Sequence, residues 1–336
     1  MTSPDHKIAL FIAWFGGWKG WINLHLETCA RNPGVTWFFL HDQPSLPANR
    51  PPNVRFVRTS LADIALRYER LTGRPIRLAV PYKACDLKPL FGPLFPELLA
   101  GYSWWGYCDN DLLCGDIGRF VTAGDLSHYD VITSHVCTII GQFTIFRGLD
   151  LPRRLFFEIP DIETLLADPE YRGIDELLID KVACARGAGE GLRVSRRMLQ
   201  VWERLYEPSW EEWASKLESG RRGSPVEVRF LTGACEWRDG RIFHAASGTE
   251  TMFFHFLEWK RRWRFPTYPW PLKGLESIRV DEQGFHFHFT ARNRLQNLRL
   301  RFCYDIPFRF TQPVKNAFAK AVRGWRKLLR ALRPAT

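Results

Sequence analysis

Apolar positions in the first sixty residues fall into short runs separated by polar turns. KIALFIAWF (7–15) and VTWFFLHD (35–42) are near-continuous apolar runs, the pattern of strands covered on both faces. Between them GGWKG (16–20) reads as a flexible turn. WINLHLETCARN then has helical spacing, with Trp21, Leu24 and Cys29 among the inward positions. Strand, helix and strand in so short a stretch predict a βαβ unit with a right-handed crossover. NVRFVRTS reads as a shorter strand, and LADIALRYERLTG as a helix that stops at Gly73.

The next segment, YKACDLKPLFGPLFPELLAGYSWWGYCDNDLLCGDIGRF, reads as helix, loop and a strand near 103–108, then an acidic turn at Asp109–Asp111. DVITSHV and TIIGQFTIFRG predict two strands that pair near this turn. Residues 151–222 read as largely helical, and VRFLTGACEWRDGRIFHAA as strands around the turn Arg238-Asp239-Gly240. Residues 276–290 alternate, and GFHFHF sets His286 and His288 on one strand face. The alternation in the first half predicts an α/β sheet with helices on both faces. Ligands of such sheets bind beyond the carboxyl ends of strands. That rule makes the GGWKG turn, Asp42 and the Asp109–Asp111 turn neighbours.

Charge divides the chain unevenly. The formal net charge is +11, but residues 313–336 carry seven Lys or Arg and no acid, leaving the body at +4. The body is therefore not a nucleic-acid binder by composition. In the tail, Phe318, Ala321, Val322, Trp325, Leu328, Leu329 and Leu332 fill one helical face. Lys320, Arg323, Arg326, Lys327 and Arg330 fill the other, the pattern of a helix lying on an anionic membrane surface. No uninterrupted apolar stretch is long enough to span a bilayer, and MTSPDHK carries no signal-peptide pattern. The 8 Cys are scattered, without CxxC or zinc-like spacing. These features suit a cytoplasmic protein, peripheral on the inner face of a membrane.

The strongest local chemical signal is CDNDLLCGD (108–116). Two aspartates two apart, just after an aromatic strand, can both reach one Mn²⁺ or Mg²⁺, a hard cation that keeps positions open for phosphate oxygens. A DxD turn also occurs in phosphatases with an aspartate nucleophile, which usually place Thr or Val two residues on; here Leu113 stands there.

Together with its neighbours, this segment resembles a bacterial family of GT-A-type glycosyltransferases similar to capsular and surface-polysaccharide transferases. Tyr82, Lys83, Asp86, Lys88 and Pro89 match the first part of the family pattern. Trp105, Gly106, Asp109, Asp111, Gly115 and Asp116 match the second. FGGWKGWINLHLETCARN looks like the family's donor-binding start, GQFTIFRG its acceptor-side strand and MFFHFLEWK its late segment; the likeness covers about residues 7–262. It implies a GT-A-like α/β domain over 1–265, followed by a β-rich extension (266–312) and the basic amphipathic helix (313–336).

The resemblance also implies roles. Asp109 and Asp111 hold the cation, with His255 as a third ligand. Lys83, Lys88 and Lys260 neutralise phosphate oxygens. Asp86 accepts a ribose or base hydrogen bond, or pairs with Lys83 three residues away. Gly16 and Gly17 let the backbone approach the donor, and Asp42 receives the nucleobase. Asp175 and Glu176 serve the acceptor hydroxyl. The implied substrates are a nucleotide sugar, UDP-linked as the first guess, and a saccharide or lipid-linked acceptor. Two alternatives stand beside this: a non-catalytic membrane- or nucleic-acid-binding protein built around the basic tail, and a metal-dependent phosphatase.

Overall fold

A computed structural model describes residues 7–136, 138–197, 200–202, 231–256, 274–282 and 284–290, with Trp259, Leu272 and Leu298. The tail at 313–336 and Lys260 lie outside the described residues. The main sheet draws on β1 (Ile8–Trp14), β2 (Val35–His41), β3 (Val54–Arg58) and β4 (Trp104–Cys108). After β5 (Leu112–Cys114) it adds β6 (Val131–Thr133), β7 (Phe143–Arg147) and β8 (Val194–Arg196). Its order is β3-β2-β1-β4-β7-β6-β8. Only β7 runs against the others, pairing antiparallel with β4 and β6.

Both faces of this sheet are covered, as the continuous apolar runs require. Alternate residues of β1 and β2 enter separate cores. Phe11, Phe38 and Leu40 face one side, and Leu10, Trp37 and Phe39 the other. On the first side pack α2 (Leu61–Thr72), α3 (Phe91–Leu94), α5 (Asp150–Phe157), α6 (Ile162–Ala167) and α7 (Ile179–Glu190). On the second pack α1 (Ile22–Ala30) and α4 (Ala123–His128). Helix α2 starts at a capping box between Ser60 and Asp63 and ends at Gly73, whose φ of 73° suits glycine. At Gly106 the strands β4 and β7 come so close that a Cβ would lie 2.0 Å from the Thr144 carbonyl oxygen.

Two smaller sheets complete the structure. One joins β10 (Leu231–Thr232), β9 (Gln200–Trp202), β14 (Phe253–His255) and β5. The other is antiparallel: β13 (Glu250–Thr251), β12 (Arg241–His244), β11 (Cys235–Arg238), β15 (Leu275–Asp281) and β16 (Gly284–Phe289). Its β11–β12 hairpin turns at Asp239 and Gly240, both with positive φ, as a two-residue turn needs. Because β11 pairs with β15, residues on both sides of 265/266 share one sheet. His286 and His288 both lie on β16, and His286 Nε2 contacts Asp281 Oδ1 at 3.0 Å.

The stretch 151–222, read as largely helical, carries α5, α6, the helical turn 174–178 and α7, followed by β8 and β9; residues 203–222 lie outside the described set. The helix expected from Tyr82 onward is a 3-10 helix, Pro81–Leu90. Pro89, near its end, has no N–H for an α-helical bond to the carbonyl four residues back.

Candidate active site

The main sheet reverses its order between β1 and β4: β2 and β3 lie on one side of β1, and β4 on the other. The crevice beyond the carboxyl ends of these two strands is where such sheets bind ligands. A cleft of about 420 Å³ opens there. One wall carries Trp14 and Phe15 from the end of β1 and Asp109, Asn110 and Asp111 from the end of β4; Tyr82, Lys88, Tyr171, Asp175, Glu176 and His255 complete it.

Ligand atoms of Asp109, Asp111 and His255 lie within 4.8 Å of one another. Strand pairing makes this cluster. Antiparallel β14 sets His255 opposite Leu112, next to Asp111, and His255 Nε2 lies 3.5 Å from Asp111 Oδ2. Two carboxylates and an imidazole, with Asp111 and His255 buried and Asp109 partly exposed to the cleft, fit a divalent cation such as Mn²⁺ or Mg²⁺.

The segment after the acidic turn is held from behind by α1. His25 and Thr28, on one face of α1, and Asn32, just beyond its end, are buried. His25 Nδ1 lies 2.8 Å from the Leu112 carbonyl oxygen. Thr28 Oγ1 accepts from Cys114 N at 3.1 Å, and Asn32 bonds both the Gly115 oxygen (2.8 Å) and Ile117 N (2.8 Å). Burial lowers His25 to about 4, so it is neutral at pH 7. None of these residues stood out in the sequence; they are polar positions on, and just after, an otherwise apolar helix face.

Facing the acidic turn stands a second polar group. Lys88 Nζ lies 2.9 Å from Asp109 Oδ1, 3.1 Å from Asp175 Oδ2 and 3.1 Å from the Gly141 oxygen. These carboxylates hold the ammonium well above its ordinary pKa, outweighing its burial. Asp175 and Glu176 sit on a π-helical turn, Ile174–Leu178. Tyr171 donates to Asp175 Oδ1 at 2.8 Å, and Gly141 N to Glu176 Oε1 at 3.1 Å. Burial, with Glu176 adding to it, raises Asp175 to about 7; burial also raises Glu176. At Gly141, not singled out in the sequence, a side chain would fit only if the neighbouring side-chain ends shifted. A Cβ there would come within 2.7 Å of Asp175 Oδ2 and 2.9 Å of Lys88 Nζ.

Lys83 and Asp86 do not line the cleft. Both side chains are wholly buried and pair at 2.9 Å. Lys83 Nζ also donates to the Leu165 (2.7 Å) and Glu170 (2.9 Å) carbonyls. Asp86 accepts from Arg172 N and Ile174 N. Every donor of the ammonium is used inside the fold, so the expected contacts with phosphate and ribose do not fit these positions. Among the residues expected to hold the donor, Gly16 and Asp42 meet, Gly16 N donating to Asp42 Oδ1 at 3.1 Å. They and Gly17 stand beyond the cleft lining, near Trp14, whose indole N–H donates to the Gly17 oxygen.

The chain matches the family described as "family of unknown function (DUF6625)" over residues 10–268, and it belongs to that family. No curated protein matches it. Among solved structures it is similar to the galactosyltransferase LgtC in complex with donor and acceptor sugar analogs, at 12% identity and a TM-score of 0.38, covering 74% of this chain and 87% of that one. It is similar to mouse xyloside xylosyltransferase 1 at 10% identity and a TM-score of 0.36, covering 73% and 99%. It is also similar to the glycosyltransferase GlyE of Streptococcus pneumoniae at 11% identity and a TM-score of 0.36, covering 75% and 54%. These likenesses are remote, and the functional reading rests on the site itself.

Proposed function

Starting from membership of that family and the geometry above, we propose that this protein is a metal-dependent glycosyltransferase. It would move a sugar from a nucleotide-sugar donor, UDP-linked as the first guess, to a saccharide or lipid-linked acceptor. One observation carries the reading: the Asp109–Asp111–His255 cluster and the Lys88–Asp175–Glu176 group share a cleft at the switch point of the sheet. Asp109, Asp111 and His255 would hold a divalent cation, which would supply Lewis-acid neutralisation of a departing diphosphate.

The chain's own groups do the rest. Lys88, fixed between Asp109 and Asp175, adds a second positive charge beside the phosphate position. Asp175 and Glu176 accept the acceptor's hydroxyl and orient it; the raised Asp175 carboxyl can take its proton near neutral pH. Trp14 and Phe15 add aromatic surface to the lining. Gly16, Gly17 and Asp42 are proposed to receive the nucleoside, and Lys260 a phosphate oxygen. No helix among the described residues is long and apolar enough to cross a membrane. Placement on the cytoplasmic face of an anionic membrane is proposed from the tail sequence alone, and sedimentation with anionic vesicles tests it.

The test of the central reading is calorimetric titration of UDP into the full chain with and without Mn²⁺, for wild type and Asp111→Ala. Metal-dependent binding that the substitution removes is expected. Absence of binding by UDP, GDP and CDP, with either Mn²⁺ or Mg²⁺, would overturn the proposal.

A further inference from the structure

Tyr82 is the most exposed aromatic ring among the described residues, with 62% of its surface open, yet it lines the cleft that holds the acidic cluster. Single exposed apolar residues are ordinary on protein surfaces. This one differs in what holds it and what it adjoins. Its ring packs on Tyr171 with centroids 4.9 Å apart and planes at 54°. Tyr171 in turn donates to Asp175 Oδ1 at 2.8 Å. The next residue, Lys83, is pinned by three buried contacts, so the backbone beneath Tyr82 is anchored. A tyrosine on a fixed backbone loses little conformational freedom when a ligand covers it. Pro81, the residue before it, lines the same cleft.

We infer that Tyr82, backed by Tyr171, is the stacking platform for the C–H face of an acceptor pyranoside, whose hydroxyls then meet Asp175 and Glu176. The inference rests on the glycosyltransferase reading and names the acceptor's contact surface within it. A pyranose has the two faces this wall needs: an apolar C–H face for a ring and a fringe of hydroxyls for carboxylates. A nucleobase could also stack on the ring, but it brings a diphosphate with it. The positive groups that suit a diphosphate, Lys88 and the cation position at Asp109, Asp111 and His255, are already given to the donor, while the Tyr171–Asp175 side that Tyr82 packs against offers hydroxyl-binding groups. The phenol itself stays protonated at neutral pH, since partial desolvation with nearby Cys85 and Asp109 pushes it up to about 12.

The experiment is saturation-transfer NMR on the full chain with UDP and Mg²⁺, using methyl glucopyranosides and galactopyranosides as probes. Wild type should transfer saturation to at least one probe, strongest at the protons of one sugar face. Tyr82→Ala should cut that transfer roughly tenfold, the scale of one lost aromatic contact, and Tyr82→Trp should retain it. UDP affinity, measured on the same samples, should stay within about twofold in both variants. Four results would overturn the inference: no transfer to any probe in wild type, equal transfer in Tyr82→Ala, loss of transfer in Tyr82→Trp, or a marked fall in UDP affinity in Tyr82→Ala, which would assign the ring to the nucleobase. Wild type that binds no nucleotide at all would instead sink the underlying reading, so the two failures are separable.

Discussion

Two lysine–carboxylate assemblies lie on one ten-residue 3-10 helix, five residues apart, and they do opposite things. Lys83 and Asp86 are fully buried, and their remaining hydrogen bonds go to the backbone of 165–174. Lys88 also makes three contacts within the fold, to Asp109, Asp175 and the Gly141 oxygen, but this group lines the cleft and its Asp109 side chain is 29% exposed. The first assembly is closed on all sides. The second borders the cleft and balances one ammonium against several carboxylates. Neither residue type nor the lysine's own contacts separate them; a partner open to the cleft does. The closed pair also serves the open one, because the backbone that Asp86 anchors, at Arg172 and Ile174, leads directly into Asp175 and Glu176.

Removing the closed pair should have the largest effect on folding. Lys83→Met strands a buried Asp86 carboxylate, and unfolding in urea should show a loss of about 3–5 kcal/mol. A loss below about 1 kcal/mol, the range of exposed pairs, would mean that water reaches the pair. Lys88→Met should act the other way round. Its stability should change less, since Asp109 is partly exposed and the buried Asp175, already raised to about 7, can take up a proton, while sugar transfer falls by roughly 10²-fold, as when one charge-stabilising donor is lost. If the two variants behaved alike in both assays, the distinction between closed and open assemblies would fail.

Gly141→Ala sharpens the comparison at a smaller scale. The added methyl meets the flexible ends of Asp175, Glu176 and Lys88, which can shift. Melting temperature should barely move, while transfer drops roughly tenfold from displaced groups. Unchanged turnover would show that the group tolerates rearrangement.

The smallest effect is in the pH profile. Asp175 is raised from 3.8 to about 7, so the folded protein retains a proton that the unfolded chain releases. Its contribution to stability is complete below pH 3.8 and is lost as pH rises toward about 7. Transfer, which uses the carboxylate, should rise over the same upper range, with a limb near pH 7 that belongs to the Asp175–Glu176 pair. Asp175→Asn should remove or displace that limb. A flat wild-type profile between about pH 6 and 8 would contradict the role given to the pair.

Much of the frame could be read from the chain. Continuous apolar runs announced β1 and β2, Gly73 ended α2 where expected, and the acidic turn sits directly after β4. β6 and β7 pair as their sequences suggested. These are local properties, set by periodicity, backbone preference and turn chemistry within a few residues.

What surrounds each side chain was decided only by tertiary structure. Spacing shows that Lys83 and Asp86 share a helical side, but burial of that side depends on residues 165–174 folding over it. The likeness to a family implied His255 as a ligand; its approach to Asp111 is made by the pairing of β14 with β5, a long-range register that no local pattern encodes. The same holds for His25, Thr28 and Asn32, which look like interruptions on, and just after, an apolar helix face until the 112–117 backbone lies against them. A sequence shows which groups lie on one face of an element; whether that face meets protein, water or a cleft depends on contacts between distant segments, because desolvation is set by everything packed around the group.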